Sequence, residues 1–259
     1  MDMIPAVFFG ALGLTIGSFL NVVIRRLPIG ESLVWPGSHC PECGKKLGVL
    51  ELVPVLGYIG LRGKCAGCGV KISPRYPVVE AATGAGFYWA AVNAAGPLDF
   101  VNSILLLSGL TAIFFIDLDH GIIPDVISLP LTAAGLALGA VMGAFPDRAI
   151  AAAGGFAVFW AIRFIGTLLA KEEAMGFGDV KLAAMIGAFL GIRMAATGLF
   201  LGFLIGGAMA VWLMTMKKRG AKDPIPFGPM MAAGGAIALI KGQTVLDLYA
   251  MCVARIWSL

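Results

Sequence analysis

The sequence predicts an all-α polytopic membrane protein with about eight transmembrane helices and one small soluble loop domain after the first helix. Hydrophobic residues make up 59% of the 259 residues and charged residues only 13%, whereas soluble domains carry about 25% charged residues. The few charges are also unevenly placed. Several runs of roughly 18 or more residues, the length needed to cross a bilayer, carry almost none. A soluble fold is disfavoured, because its single large core would have very little polar cover.

Eight apolar segments are predicted to span the membrane. The sixth and the eighth are short, and we expect them to be tilted or buried among their neighbours. A further apolar stretch, 244–258, carries Asp247 and Arg255 and is predicted to be an interfacial tail or an extension of the last span. The eight segments are 3–24, 76–95, 99–117, 124–144, 148–170, 179–192, 194–216 and 227–241.

The placement of basic residues predicts which side of the membrane each loop faces. Positive charges follow the first apolar run, at Arg25 and Arg26, which is typical of an uncleaved anchor with its N-terminus outside. When the sides alternate from that start, 14 of the 19 Lys and Arg residues fall on or near the inner side. Short loops rich in Lys and Arg stay on the cytoplasmic side. The inner segments are therefore 25–75, 118–123, 171–178 and 217–226.

Three domains are predicted from this organisation. Residues 1–24 form the first transmembrane helix, residues 25–75 a cytoplasmic loop domain, and residues 76–259 a multi-helix membrane domain. The loop is too small to build a sufficient hydrophobic core. We therefore expect it to need a metal ion or disulfides for stability.

The loop carries two C-x-x-C pairs, Cys40 with Cys43 and Cys65 with Cys68. Two such pairs at this separation are typical of a zinc site, because each turn directs two thiolates at one metal ion. Four thiolates leave no open coordination position, so the predicted zinc is structural. A redox-active pair and a metal-free loop are the alternatives. A nucleic-acid-binding ribbon is disfavoured, because the loop is tethered to the membrane and lacks clustered aromatic residues.

Two acidic residues at the ends of predicted spans are candidates for chemistry, since ionisable groups in spans are costly and usually functional. Asp117 ends the third span, and Asp179 begins the sixth, with Gly176 and Gly178 before it. The topology places both acids on the cytoplasmic side. Two carboxylates brought together would share a proton and could activate water for attack on a peptide carbonyl. The glycines would let a substrate strand approach closely.

Each acid also has a simpler interpretation. Asp179 could be a helix cap neutralised by Lys181, and Asp125 follows a proline where a helix is expected to begin. Asp119 is expected to be a solvated residue at a helix end, with a supporting role near the site as the alternative. Asp117 and Asp179 could also relay protons in a transporter, or the chain could be a zinc-ribbon scaffold without chemistry. Sequence spacing alone does not separate these alternatives.

These motifs resemble those of the bacterial prepilin peptidases, also called type IV leader peptidases, over nearly the whole chain. Asp117, seven residues before Pro124, resembles the first catalytic aspartate of that family, and Asp179 in Gly-Phe-Gly-Asp resembles the second. The resemblance implies that these two are the catalytic pair, with Gly176, Gly178 and Lys181 supporting them. The other matching segments are 17–28, the two C-x-x-C pairs, 72–80 and 225–229.

The resemblance implies an aspartic endopeptidase that cuts the leaders of type IV prepilins and type II secretion pseudopilins at the cytoplasmic face of a bacterial inner membrane. It also implies N-methylation of the new N-terminal residue with S-adenosylmethionine, because members with the cysteine loop are typically bifunctional. Glu80, near Arg75, is the candidate for methyl transfer; alternatively, it forms a salt bridge that fixes the second helix to the loop. The acids expected to receive the basic leader are Glu31, Glu42, Glu51, Glu172 and Glu173.

Overall fold

The computed structural model describes a chain whose long elements are all helices. The described residues are 3–171, 173, 175–216 and 226–257. In chain order the helices are α1 (Met3–Arg26), α2 (Leu56–Gly60), α3 (Arg75–Asn93), α4 (Pro97–His120), α5 (Asp125–Val141), α6 (Phe145–Ala170), α7 (Phe177–Thr215) and α8 (Gly228–Trp257). A short 3-10 helix, Leu27–Ile29, follows α1.

Five helices in the described part of the chain are long and apolar enough to cross a membrane, namely α1, α4, α6, α7 and α8. Large apolar side chains are exposed on them, as on α6 at Trp160, Phe164 and Leu169. Exposed apolar surface on this scale suits helices that face lipid. The all-α, multi-pass prediction is confirmed, whereas the predicted number of eight spans is not, since α5 has only 17 residues and α3 is not among the five.

Each predicted span corresponds to a helix, with two differences. The segments 179–192 and 194–216 lie in one helix, α7, interrupted only at Gly191, where φ is 71° and ψ is 178°. The last two apolar stretches are continuous in α8, so 244–257 extends the last span instead of forming a separate tail. The inner loop assigned to 217–226 lies outside the described residues except for Pro226.

The break at Gly191 has a local cause. The Asp147 carboxylate accepts a hydrogen bond from the backbone N–H of Ile192 at 3.4 Å. A Cβ atom at Gly191 would come within 1.9 Å of the same carboxylate, and its positive φ disfavours other residues. Glycine at this position therefore lets the chain turn where the sequence predicted a loop.

The contacts divide the chain into two units, Met1–Ala112 and Ile113–Leu259, with the boundary inside α4. In the first unit α1 packs closely on α3. A Cβ atom at Gly17 would lie 2.6 Å from the Glu80 Cα, and one at Gly13 would lie 2.7 Å from the Phe87 Cβ. Small residues allow such close helix packing.

The second unit is organised around α7, which packs against α5, α6 and α8. A Cβ atom at Gly187 would lie 2.5 Å from the backbone of Ala151 on α6. Another at Gly202 would lie 3.1 Å from the Met231 Cα on α8. This packing brings the beginnings of α7 and α8 into the same unit as the last turn of α4, where Asp117 lies.

Candidate functional site

The four predicted cysteine ligands form one cluster in the first unit. Their sulfur atoms all lie within 4.8 Å of one another. The Sγ atoms of Cys40 and Cys68 are 3.9 Å apart, and those of Cys43 and Cys65 are 4.0 Å apart. A tetrahedral zinc ion with Zn–S bonds of about 2.3 Å holds its sulfurs about 3.8 Å apart. The four cysteines are therefore positioned to hold a metal ion, and zinc fits the spacing.

The two halves of the cluster are built by the same turn. The Gly44 N–H donates to the Cys40 carbonyl at 2.9 Å, and the Gly69 N–H donates to the Cys65 carbonyl at 2.9 Å. Both glycines have positive φ, 69° and 74°, a conformation that favours glycine. The cluster geometry thus follows from two short local segments of sequence.

Backbone N–H groups face one of the four sulfur atoms. The N–H groups of Cys68 and Gly67 lower the pKa of the Cys65 thiol to about 6, and the Gly67 N–H lies 3.3 Å from the sulfur. A thiolate is the form that binds zinc. Glu51, one of the acids expected to receive substrate, accepts the Gly48 N–H at 2.6 Å and pairs with Lys45 at 2.8 Å.

Asp117 is buried in the last turn of α4, with 5% of its surface exposed. Its carboxylate accepts a hydrogen bond from the backbone N–H of Gly228, the first residue of α8. A Cβ atom at Gly228 would lie 2.5 Å from Asp117 Oδ2. Only glycine fits there without displacing the carboxylate, and the positive end of the α8 dipole favours a negative charge at this position.

Asp179 is buried as the third residue of α7, with 8% of its surface exposed. Its carboxylate accepts a hydrogen bond from the backbone N–H of Gly176, the residue that precedes the helix. Asp179 therefore stands at the position from which a side chain can reach back to the residue that caps the helix. The charge of Asp117 also acts on Asp179. The structure therefore brings together the two aspartates singled out by the sequence.

Ile123 and Gly228 are parts of this site that sequence reasoning missed. A Cβ atom at Gly178 would lie 2.9 Å from the Ile123 Cβ, and one at Gly228 would lie 3.1 Å from the Ile123 Cδ1. Ile123 thus contacts the beginnings of both α7 and α8. Gly178 is needed for this packing, which differs from the expected approach of a substrate strand. Gly176 has more room, since the nearest atom to its Cβ position is Asp179 Oδ2 at 3.5 Å.

Lys181 has a different partner from the one considered in the sequence. Its ammonium group pairs with Asp125 and not with Asp179. It also lies 5.1 Å from the centre of the Phe177 ring, a cation–π distance. Asp125 is the first residue of α5, as expected, and Asp119 is exposed at the end of α4.

Glu80 and Arg75, the methyl-transfer candidates, lie in the first unit on α3. Glu80 is 8% exposed, and its Oε2 accepts a hydrogen bond from the backbone N–H of Val55 at 2.7 Å. This bond ties α3 to the cysteine loop through a backbone donor, whereas the sequence suggested a salt bridge as the alternative role of Glu80. Arg75 is half-buried at the first residue of α3.

Comparison with known proteins identifies the family. A family model for the bacterial peptidase A24 N-terminal domain matches residues 11–94, and one for the type IV leader peptidase family matches residues 104–211. A prepilin leader peptidase/N-methyltransferase of Aeromonas hydrophila is 36% identical over 275 residues, which cover 95% of each protein. The chain belongs to the type IV leader peptidase family.

Other relatives agree with this assignment, and the resemblance seen in the sequence is confirmed. A prepilin leader peptidase/N-methyltransferase of Myxococcus xanthus is 43% identical over 82% of this chain and 63% of that protein. One of Stutzerimonas stutzeri is 34% identical over 92% of this chain and 91% of that protein. No solved structure gives a significant match to this leader peptidase family member.

Proposed function

We propose that this chain is an aspartic endopeptidase that removes the leader peptides of type IV prepilins and type II secretion pseudopilins. We include in the proposal that it N-methylates the new N-terminal residue with S-adenosylmethionine. The observation that carries the peptidase activity is the buried pair Asp117 and Asp179, each held by a glycine N–H. The relatives named as prepilin leader peptidase/N-methyltransferases support both activities.

The two aspartates divide the work of acid and base. Close carboxylates in a buried site share one proton, so one is charged while the other is protonated. The charged carboxylate takes a proton from water as the water oxygen attacks the scissile carbonyl carbon. The protonated carboxylate donates its proton to the carbonyl oxygen. As the C–N bond breaks, the carboxyl that took the proton from water gives it to the leaving amine, and the other carboxylate takes a proton back from a hydroxyl of the tetrahedral intermediate. The fixed N–H groups of Gly176 and Gly228 keep both carboxylates in place.

We assign zinc to the cysteine cluster in a structural role. Four sulfur ligands close the coordination sphere, so Cys40, Cys43, Cys65 and Cys68 hold the loop together and do not present the metal ion to a substrate. S-adenosylmethionine supplies an electrophilic methyl group when bound. Glu80 is the residue we assign to methyl transfer, because it is a buried acid that contacts the cysteine loop.

The proposed location is a bacterial inner membrane, with the N-terminus outside and the loop 25–75 and both aspartates at the cytoplasmic face. The concentration of Lys and Arg in the segments assigned to that side supports this orientation. Eight membrane segments and the three-domain division 1–24, 25–75 and 76–259 belong to the same proposal. The break at Gly191 supports counting α7 as two segments.

The peptidase proposal is tested by incubating a purified pilin-like substrate with detergent-solubilised protein and measuring the product by mass spectrometry. Asp117→Asn and Asp179→Asn should each lower the cleavage rate by about 10²- to 10⁴-fold, the usual contribution of acid–base groups. Asp119→Asn is the matched control, since it removes the same charge from the exposed end of α4. Wild-type product that also gains one methyl mass in the presence of S-adenosylmethionine supports the second activity.

The proton-relay and scaffold alternatives predict a different result. If both variants remain folded and still remove the leader, Asp117 and Asp179 are not the catalytic pair. Folding is checked in each sample by its melting temperature and zinc content, so that lost cleavage is not confused with lost structure.

A further inference from the structure

Arg163 is a charged residue on an otherwise apolar helix surface in the second unit. It lies on α6, about two turns before the end of that helix at Ala170. Its neighbours Trp160 and Phe164 are exposed apolar residues. A charge within a membrane-spanning helix is costly and usually marks a function. The contacts that Arg163 makes therefore indicate what it does.

Arg163 contacts the segment that leads into α7. Its Nε donates to the carbonyl oxygen of Met175 at 3.0 Å, and its Nη2 pairs with Glu173 Oε1 at 2.9 Å. Its guanidinium carbon lies 5.5 Å from the centre of the Phe177 ring, a cation–π distance. These partners are every second residue of the segment, and Gly176 between them has an extended backbone, with φ −64° and ψ 142°. Alternate residues of an extended chain face the same side, so one side chain holds the segment along its length.

The bond to Met175 fixes one end of the peptide group that faces Asp179. The Met175 carbonyl and the Gly176 N–H belong to the same planar, trans peptide unit, so they point in opposite directions. The Gly176 N–H donates to the Asp179 carboxylate, and the Cβ position of Gly176 lies 3.5 Å from Asp179 Oδ2. Because the guanidinium group orients the carbonyl, it also orients the N–H that holds the carboxylate.

We propose that Arg163 is a positioning residue of the peptidase, which holds Asp179 in place through the peptide group between Met175 and Gly176. This inference rests on the proposed peptidase function. A hydrogen bond from a charged donor is stronger than one from a neutral donor. It also polarises the peptide group, so the N–H at the other end becomes a better donor. Arg163 acts through the backbone and not on the reacting atoms.

The ion pair with Glu173 contributes less to this arrangement than the bond to Met175. The Glu173 side chain is 76% exposed, whereas that of Arg163 is 28% exposed. Ion pairs at exposed positions are weak, because water and salt screen them. A change at Glu173 leaves the bond to Met175 and the contact with Phe177 in place. Substitutions at Arg163 and at Glu173 therefore separate the effect of the backbone bond from that of the ion pair.

The test measures kcat and KM for leader cleavage by the full-length protein in detergent, with a purified pilin-like substrate. Arg163→Met removes the donors and the charge but keeps an unbranched side chain. We expect kcat to fall about 10- to 100-fold with KM changed less than about threefold, because a catalytic group displaced by roughly 1 Å can lose about that much rate. Glu173→Gln should keep kcat within about twofold, since it breaks only an exposed ion pair. Arg193→Met, which removes an exposed arginine from α7, is the matched control and should leave kcat unchanged.

Chemical rescue distinguishes positioning from a general structural role. The Arg163 side chain is partly exposed, so in Arg163→Ala a small added cation can reach the vacated position. Ethylguanidinium should restore part of kcat, whereas ethylammonium at the same concentration should restore less, because it lacks the planar set of donors. Arg163→Lys should lose less kcat than Arg163→Met, because it keeps one charged donor. If Arg163→Met has a lowered melting temperature, the lysine variant and the rescue decide the question.

The possible failures can be distinguished. If Asp179→Asn abolishes cleavage but Arg163→Met keeps the wild-type kcat, the proposed function stands and Arg163 is not a positioning residue. The inference is also wrong if the loss appears in KM alone, which would place Arg163 against the substrate, or if Glu173→Gln loses as much kcat as Arg163→Met. If Asp179→Asn still cleaves the leader, the proposed function itself fails and the inference fails with it.

Discussion

The cysteine cluster and the aspartate pair are built in opposite ways. Each half of the cluster is one short turn, and the two turns share the same glycine conformation and the same hydrogen bond. The aspartate pair instead depends on the ends of three helices, because α4 carries Asp117, α7 carries Asp179, and the first residue of α8, Gly228, contacts Asp117. A metal site can therefore be encoded by local spacing, whereas a carboxylate pair requires correct helix packing.

This contrast predicts two kinds of failure. Loss of ligands should remove the metal and with it the folding of a loop that has little core of its own. Substitution at the aspartate pair should alter the position or the charge of a carboxylate in a protein that stays folded.

The largest expected effect comes from removing one cysteine from each half of the cluster, as in Cys43→Ser with Cys68→Ser. Two remaining thiolates cannot complete a tetrahedral site, so zinc should fall from about one ion per chain to below about a tenth. Zinc content by plasma mass spectrometry and protease sensitivity of residues 25–75 measure the result. Cys252→Ser, which changes a cysteine outside the cluster, is the control.

In the same variant the rate of leader cleavage should fall by a smaller factor than the zinc content, because the aspartate pair lies in the other unit. Zinc that is retained by a protein lacking all four cluster cysteines would falsify the assignment of the metal to these residues. A cleavage rate that falls in proportion to the zinc content would show that the loop is required for catalysis as well.

The same contrast explains what the sequence could predict. The spacing of Cys40, Cys43, Cys65 and Cys68 was sufficient for the cluster, because all four ligands belong to two local turns. Apolar runs were sufficient for the helices, because hydrophobicity alone selects segments that can lie in lipid. Both signals are properties of short stretches of chain.

Contacts between distant segments could not be predicted in this way. Nothing in the spacing of Ile123 or Gly228 shows that they meet beside Asp117, since this depends on how α7 and α8 pack. The break in α7 was expected as a loop near Arg193, yet it occurs as a kink at Gly191, because Asp147 from α6 accepts the next backbone N–H. The pairing of the two aspartates came from resemblance and not from spacing.

An intermediate effect is expected for Gly228→Ala. Its Cβ atom would lie 2.5 Å from Asp117 Oδ2 and would push the carboxylate out of place or move the beginning of α8. Small displacements of catalytic groups cost on the order of 10²-fold in rate. Gly176→Ala is the matched control, because its Cβ would make an ordinary 3.5 Å contact with the Asp179 carboxylate. Initial cleavage rates of the two variants measure the difference. The comparison is valid when both variants have the same melting temperature, because a lower rate then does not reflect unfolding.

Equal losses in both glycine variants would contradict this explanation. That result would mean that the beginnings of both helices need glycine for flexibility or substrate access, and not for the space beside Asp117. The comparison therefore sharpens the claim that the aspartate pair is set by close packing.

The smallest effect is expected for Lys181→Met. Lys181 is two residues after Asp179, so on a helix its side chain points away from that carboxylate. Its partner is Asp125, whose side chain is 57% exposed, and partly exposed ion pairs usually contribute about 0–1 kcal/mol. We expect kcat to fall by no more than about tenfold, with KM changed by a similar or smaller factor.

A double-mutant cycle with Asp125→Asn tests whether Lys181 acts through that pair. If it does, the double variant should be little worse than either single variant, because each change already breaks the same contact. Additive losses would mean that Lys181 acts independently of Asp125. A loss in Lys181→Met as large as that in Asp179→Asn would place the ammonium group in the chemistry itself. In that case the aspartate pair, like the cysteine cluster, would depend on residues that are close to one another in sequence.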